Sequence, residues 1–532
     1  MTTHASPALS DRLQLLAALA TPKDYDLVVI GGGATGLGVA LDAALRGLSV
    51  ALLESHDFAK GTSSRATKLV HGGVRYLAQG NIALVREALH ERSTLLQNAP
   101  HLAAPLPFVM PSYKCWEMPF YGVGLKVYDA LAGKAGLGPT EFLNSRQTQQ
   151  CLPNIKTQHL KGGVKYWDGQ FDDARLALAL ARTAASAGAL LVNYCAVTDL
   201  IHAQDRVTGV RCQDTETGRQ YVIHAKCVVN ATGAWVDELR EKDGNAIHRP
   251  AKPMVAPSQG VHLVVDRDFL PTDHALLVPK TQDGRVLFAV PWLGKVILGT
   301  TDTPRHDLAR EPDAFPDEVE FILSEAGKYL SRAPTRQDVR SIWVGLRPLV
   351  KPPRDEEAVG STKKISREHT VLVSPSGLVT VTGGKWTTYR AMAEDVLEKC
   401  VQASLLPKLP ACRTSRFLLV GAEQSGYKRS SLSQTPGLDA YGSEAEYVNN
   451  IEGHDSVLTQ GLTEAMVRFA ARHEYARTVE DVLARRSRLL FLDARLAGAL
   501  APRVAEILRE ETGADPRLSE FLILAEHYLR LP

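Results

Sequence analysis

Residues 26–30, Asp-Leu-Val-Val-Ile, form a short apolar run that Gly31, Gly33 and Gly36 follow at once in G-x-G-x-x-G spacing. The run reads as a strand buried on both faces. A helical pattern over 34–46 comes next, with Ala40 and Ala44 on one side and Gly47 at its stop. A second apolar run over 50–53 ends in Glu54. Each part has a physical job in binding a dinucleotide. Gly31 permits the tight turn out of the strand, Gly33 lets a pyrophosphate approach the backbone, and Gly36 lets helix and sheet pack closely. The helix N-terminus offers free N–H groups and a positive dipole end to phosphate. Glu54, about 20 residues on, is placed to accept ribose hydroxyls. An acid there argues against a 2′-phosphate, so the ligand is FAD or NAD.

With 532 residues the chain is long enough for two or three domains. A net charge of +2, with no basic run interleaved with aromatics, gives no case for nucleic acid. Seven scattered cysteines without a C-x-x-C read as reduced thiols in a cytoplasmic compartment, with no disulfide frame and no metal site. No stretch reaches the ~18 apolar residues of a bilayer span, and no signal peptide precedes the first strand. Residues 10–19 give a short capped amphipathic helix that docks on the domain or lies on a membrane.

The stretch 61–77 combines Thr62, Ser63 and Ser64 with Lys68, His71, Gly72, Gly73 and Arg75. Small hydroxyls, paired glycines and cations make a poor core and suit a loop wrapped around an anionic ligand. A helix is expected over 81–96. The Pro-, Gly- and aromatic-rich region 105–138 is either a packed excursion or a surface with aromatics exposed to lipid. Asp172 and Asp173 open a helix over 174–186 and read as its caps. Strand patterns over 190–194, 207–213 and 221–225 precede a buried strand at 227–230, which runs into Ala231 and Gly233. Short β patterns at 260–265, 285–290 and 295–299 predict an inserted antiparallel sheet.

A helix pattern covers 316–330, and a last buried strand, 378–382, turns through Gly383-Gly384-Lys385-Trp386-Thr387-Thr388 into a helix over 389–400. This second anion-friendly corner suits the pyrimidine end of a flavin, whose reduced form carries charge there. NAD has no need of it, so the expected cofactor is FAD. Beyond Ser404 the composition shifts to Pro-, Ser- and Gly-rich stretches and then to helical patterns over 464–475, 482–491, 493–511 and 518–529. The arginines 472, 477, 485, 486 and 488 read as a solvated face or a surface for anionic lipid or a partner.

Together these segments resemble the aerobic, FAD-dependent, quinone-linked glycerol-3-phosphate dehydrogenases. The resemblance rests on Thr62-Ser63-Ser64 with Lys68 to Leu77, on Gly345-Leu346-Arg347-Pro348-Leu349, and on Gly383 to Arg390. It implies an α/β fold: a Rossmann-like FAD-binding domain of the glutathione-reductase/amino-acid-oxidase type, with an inserted antiparallel β-sheet substrate domain and a C-terminal α-helical domain. The expected boundaries are 20–104, 160–240 and 342–402 for FAD binding, 105–159 and 241–341 for the substrate domain, and 403–532 for the helical domain.

The resemblance further implies oxidation of sn-glycerol 3-phosphate to dihydroxyacetone phosphate, with hydride passing from C2 to flavin N5 and electrons to membrane quinone. His262, Arg347 and Lys385 would be catalytic, with Arg75, Tyr76 and Arg367 binding substrate. FAD contacts would come from Gly31, Gly33, Gly36, Glu54, Thr62, Ser63, Ser64, Lys68, His71, Gly72, Val197, Ala231, Gly233, Gly384 and Thr387. Gln259 stands where many relatives carry a Lys. The resemblance places the chain in the cytoplasm, on the inner face of the membrane, with a homodimer as one arrangement.

These residue types suit the chemistry. An imidazole can take the C2 hydroxyl proton, and Arg and Lys can stabilise an alkoxide and bind phosphate. Duller roles also exist: His262 as a core histidine and Arg367 as a surface charge. Rival functions are an oxygen-using glycerol-3-phosphate oxidase, an amine or amino-acid oxidase, and a flavin-binding scaffold without turnover.

Overall fold

The structure, a computed structural model, describes residues 7, 8, 10–73, 81–281, 284–351, 369–422 and 431–532. Three of the expected substrate contacts, Arg75, Tyr76 and Arg367, lie outside these residues.

The run Asp-Leu-Val-Val-Ile lies inside the strand Asp24–Ile30, at the centre of an eight-stranded sheet. It pairs in parallel with Val50–Leu53 on one side and Gln220–Asn230 on the other. Leu190–Val192 and Val379–Gly383 extend the parallel set outward, and His369–Val373 closes one edge antiparallel. Strands Cys195–Ala203 and Arg206–Asp214 form a hairpin laid on Gln220–Asn230. The sequence breaks this last strand in two at Lys226. It is one continuous strand, because its outer half faces solvent on alternate residues while its inner half is buried.

Helix Ala34–Leu45 covers the sheet and packs between helices Asp173–Ser186 and Tyr389–Gln402. Two glycines set how closely it sits. A Cβ on Gly36 would lie 2.0 Å from the Gly31 carbonyl oxygen, and one on Gly38 would lie 2.9 Å from the Tyr389 ring.

The second sheet has ten strands. Val255–Asp266 pairs over its length with Ser341–Val350, and Ala103–Ser112 with Gly162–Phe171, both antiparallel. One junction, Ala275–Val278 with Ala103–Ser112, is parallel, so the sheet is mixed where a wholly antiparallel one was expected. Trp292 and Trp343 of this sheet share one core with Phe469, Phe491 and Tyr528 of the C-terminal helices.

Three local readings are corrected. The region after Pro105 is a strand followed by a helix, Glu117–Ala132, which Pro119, Gly122 and Gly124 conceal in the sequence. Asp172 does cap its helix, accepting from the Arg175 N–H, but Asp173 is buried beneath two cations. The C-terminal arginines form neither a solvated face nor a lipid surface. Arg485 and Arg486 are buried against Asp57, and Arg488 against Asp173, while Arg472 and Arg477 pair with Glu511 and Glu216. Among the described residues, no helix is long and apolar enough to cross a membrane.

Candidate active site

The carboxyl ends of the parallel strands open into a cavity of about 390 Å³. Gly31, Gly33, Ala34 and Thr35 line its middle, Glu54, Ser55 and His56 one end, and Val381 to Trp386 the other. Gly31 has φ +108°, and a Cβ there would meet the Ala231 carbonyl oxygen at 2.6 Å. Gly33 starts the helix with no side-chain cap, which leaves N–H groups for a bound anion. Ser63 Oγ accepts from the Ala34 N–H at 3.0 Å and so ties the hydroxyl loop to that helix start. Glu54 accepts from the Gly32 and His56 N–H groups at 2.6 and 2.9 Å, which fixes its carboxylate at the ribose end.

At the far end Gly383 and Gly384, at φ +82° and +69°, turn the strand, and Lys385, in extended conformation, caps the short 3-10 turn Trp386–Thr388 that leads into helix Tyr389–Gln402. The start of helix Ala34–Leu45 thus faces the cavity at its centre, and the Gly383–Trp386 corner faces it at its end. That arrangement fits a molecule with a central pyrophosphate and a second electron-rich group, as FAD has.

Of the residues expected to hold cofactor, Gly31, Gly33, Glu54, Thr62, Ser63, Val197, Ala231, Gly233 and Gly384 line the cavity. The others do not reach its wall. Gly36 packs on the Gly31 backbone. The carbonyl of Ser64 accepts from Lys68 and Arg488. Lys68 is fully buried, with its ammonium 2.8 Å from Asp173 and within cation–π reach of Trp292 and Trp343. Burial and the Arg488 charge push that ammonium down to about 7, against the pull of Asp173. The Gly72 N–H donates to Tyr128 Oη, and the Thr387 hydroxyl reaches the His71 carbonyl. These residues shape the loop behind the cavity.

Strand pairing places two of the expected catalytic residues, His262 and Arg347, on adjacent strands. His262 lies opposite Trp343 and Gly299, and Arg347 opposite Ser258. The imidazole stacks on Trp343 at 5.2 Å, and its Nε2 lies 2.9 Å from Thr67 Oγ1. Burial, with the charges of Lys68 and Arg347, holds its pKa well below the usual histidine range, so it is neutral at pH 7. Nδ1 has no hydrogen-bond partner among the described residues. A buried bare lone pair costs less than a buried bare N–H, so we assign the proton to Nε2, donating to Thr67. Arg347 donates to the Thr301 and Gln259 carbonyls at 2.9 and 3.1 Å and sits 3.4 Å from Asp302. Its neighbour Pro348 lines the cavity, as does Lys385. Gln259 is fully buried between Glu318 and Arg305, so its amide serves the wall behind Arg347.

Sequence reasoning missed Lys60, Trp235, Lys242 and Arg310, which also line the cavity. Arg310 lies 3.8 Å over the Trp235 ring, whose Nε1 donates to the Leu308 carbonyl. The contact joins the 3-10 turn Gly233–Trp235 to a distant loop, so no local pattern signals it.

Comparison with known proteins bears on the same geometry. The family described as FAD dependent oxidoreductase matches residues 26–390. The C-terminal domain of alpha-glycerophosphate oxidase matches residues 412–518. The mitochondrial glycerol-3-phosphate dehydrogenase of Rattus norvegicus is 41% identical, over 97% of this chain and 74% of its own length. The chain belongs to the FAD-dependent glycerol-3-phosphate dehydrogenase family. The Arabidopsis thaliana mitochondrial relative is 40% identical over 96% of this chain and 86% of its own length. The solved glycerol-3-phosphate dehydrogenase from Bacillus halodurans, complexed with FAD, superimposes with a TM-score of 0.76 at 30% identity and covers 98% of both chains. As in that family, the cofactor is FAD.

Proposed function

We propose that this chain oxidises sn-glycerol 3-phosphate to dihydroxyacetone phosphate and passes the electrons to membrane quinone. The observation that carries the reading is the cavity's far end, where Lys385 and Pro348 form the wall, Arg347 adjoins it, and a neutral His262 stands nearby. Bound FAD supplies the hydride acceptor and returns two electrons to a second substrate.

The residues do the rest. Arg347, held in place by two backbone carbonyls and Asp302, fixes a guanidinium charge for the substrate phosphate. Lys385 adds positive charge where an alkoxide develops. His262, neutral and backed by Trp343, accepts the hydroxyl proton on Nδ1 while Thr67 holds Nε2. Arg75, Tyr76 and Arg367 complete the substrate site in this reading. A partition at 20–104, 160–240 and 342–402 for FAD binding, 105–159 and 241–341 for the substrate, and 403–532 for the helical part accompanies it. So does a place on the cytoplasmic face of the membrane.

Anaerobic titration of the flavin absorbance with sn-glycerol 3-phosphate tests the proposal. Bleaching reversed quickly by a quinone analogue and slowly by oxygen is expected. Fast reversal by oxygen would make the enzyme an oxidase, and no bleaching would remove the substrate assignment.

A further inference from the structure

Helix Glu117–Ala132 is apolar on both sides. Gly122, Leu125, Tyr128 and Ala132 face inward. On the opposite side Trp116, Phe120, Val123 and Val127 are 55%, 67%, 64% and 45% exposed, at spacings of four, three and four that form one stripe. Pro119 and Ala130 fall on the same side and are exposed, and Phe142, 48% exposed, lies against Gly122 at its edge. Scattered exposed apolar residues are ordinary, but a contiguous aromatic stripe is not.

The surrounding charge is net positive. Lys114, Lys126 and Lys134 are exposed around the stripe. Of the nearby acids, Glu141 pairs with Lys165, while Glu117 and Asp129 turn their carboxylates to the backbone N–H groups of Tyr113, Lys114 and Thr140, leaving three lysines against two free carboxylate charges.

We infer that this helix is where the protein docks on an anionic phospholipid bilayer, with the stripe at the acyl boundary and the lysines among the headgroups. A helix with an apolar face, aromatics at its start and flanking lysines is suited to lie in the plane of that interface. The inference deepens the proposed membrane-linked function and rests on it. It also gives the helix a second task. Tyr128, on the inward face, donates to Asp168 and accepts from the Gly72 N–H, so the docked helix also holds the loop beside the active site. Asp168 is fixed in turn by Arg92.

The test uses the full-length, FAD-loaded protein with vesicles of phosphatidylcholine alone or mixed with phosphatidylglycerol. Cosedimentation is expected with the anionic vesicles and is weakened by salt. Replacing Lys114, Lys126 and Lys134 by Ala should lower partitioning on the order of 100-fold, at about fivefold per lysine. Phe120→Asp with Val123→Asp should lose binding at least tenfold. This variant should keep its flavin absorbance and its bleaching by glycerol 3-phosphate, because both positions are exposed. Brominated lipid should quench fluorescence in the wild type and less so in Trp116→Phe. Unchanged vesicle binding by the double variant would overturn the inference in favour of another surface. A wild-type dimer that the double variant splits, with no vesicle binding, would overturn it in favour of a second copy of the chain. A wild type that is bleached by substrate and reoxidised by quinone yet binds no vesicle would remove the docking surface alone. Failure of bleaching would remove the catalytic reading instead.

Discussion

Arg486 donates to both carboxylate oxygens of Asp57, a residue 429 positions earlier in the chain. Asp57 lies between His56 and Lys60 of the cavity wall, so the last helices reach directly into the nucleotide loop.

Removing one partner of such a buried pair leaves an uncompensated charge. Arg486→Ala should therefore cost about 3–5 kcal/mol of stability and release FAD, read by thermal unfolding and by flavin absorbance per protein. Burial raises the carboxyl pKa of Asp57, but Arg486 and Arg485 outweigh it and hold it below the usual range. Its contribution is thus complete above about pH 4 and is lost as pH falls through the depressed native value. Asp57→Asn should flatten that acid limb.

Gly36→Ala should abolish FAD retention. The added methyl meets a backbone oxygen that cannot move without tearing the first strand from its sheet. Ala at Gly47, where nothing lies within 4 Å, meets only the strain of φ +87° and should keep its flavin. Absorbance of the purified variants distinguishes them.

His262 is buried with a depressed pKa, so the folded protein must take up a proton there at a cost. Stability is full above about pH 6.5 and falls as pH drops from there toward the native pKa. His262→Gln should remove that slope in denaturant titrations. In stopped-flow work the same variant should slow flavin reduction by about 10²–10⁴-fold while FAD stays bound.

Arg347→Ala should keep FAD and weaken the response to glycerol 3-phosphate by about 10–150-fold, the worth of a charged hydrogen-bond pair at about 1.5–3 kcal/mol. Arg347→Lys should recover little of it, because an ammonium lacks the planar fork that spans the two carbonyls. Loss of FAD in either variant would instead make Arg347 a support for the fold.

The nucleotide half was legible because its signals are local. A buried strand, three glycines and an acid sit within thirty-one residues, and each glycine answers to a neighbour in the fold. The second corner at Gly383 was legible for the same reason. Lys68 was misplaced because sequence shows a cation in a polar loop but not Asp173, 105 residues away, which draws it under the core. Arg486 and Arg488 misled in the same way, since their carboxylate partners Asp57 and Asp173 lie hundreds of residues earlier, and Arg485 adds Asp57 to its local partners Glu480 and Asp481. Helix Glu117–Ala132 was hidden by its outer face, where apolar residues replace the polar stripe that marks an ordinary surface helix.

The buried pairs also order events during synthesis. The ribosome delivers Asp57 to the growing chain 428 residues ahead of Arg485, the first of the two arginines that neutralise it. Until residues 485 and 486 emerge, Asp57 lacks its cations and stays in water, whereas Asp173 already has Lys68 beside it. A chain cut short before Arg485 therefore leaves the Asp57 carboxylate of the nucleotide loop without a buried cation.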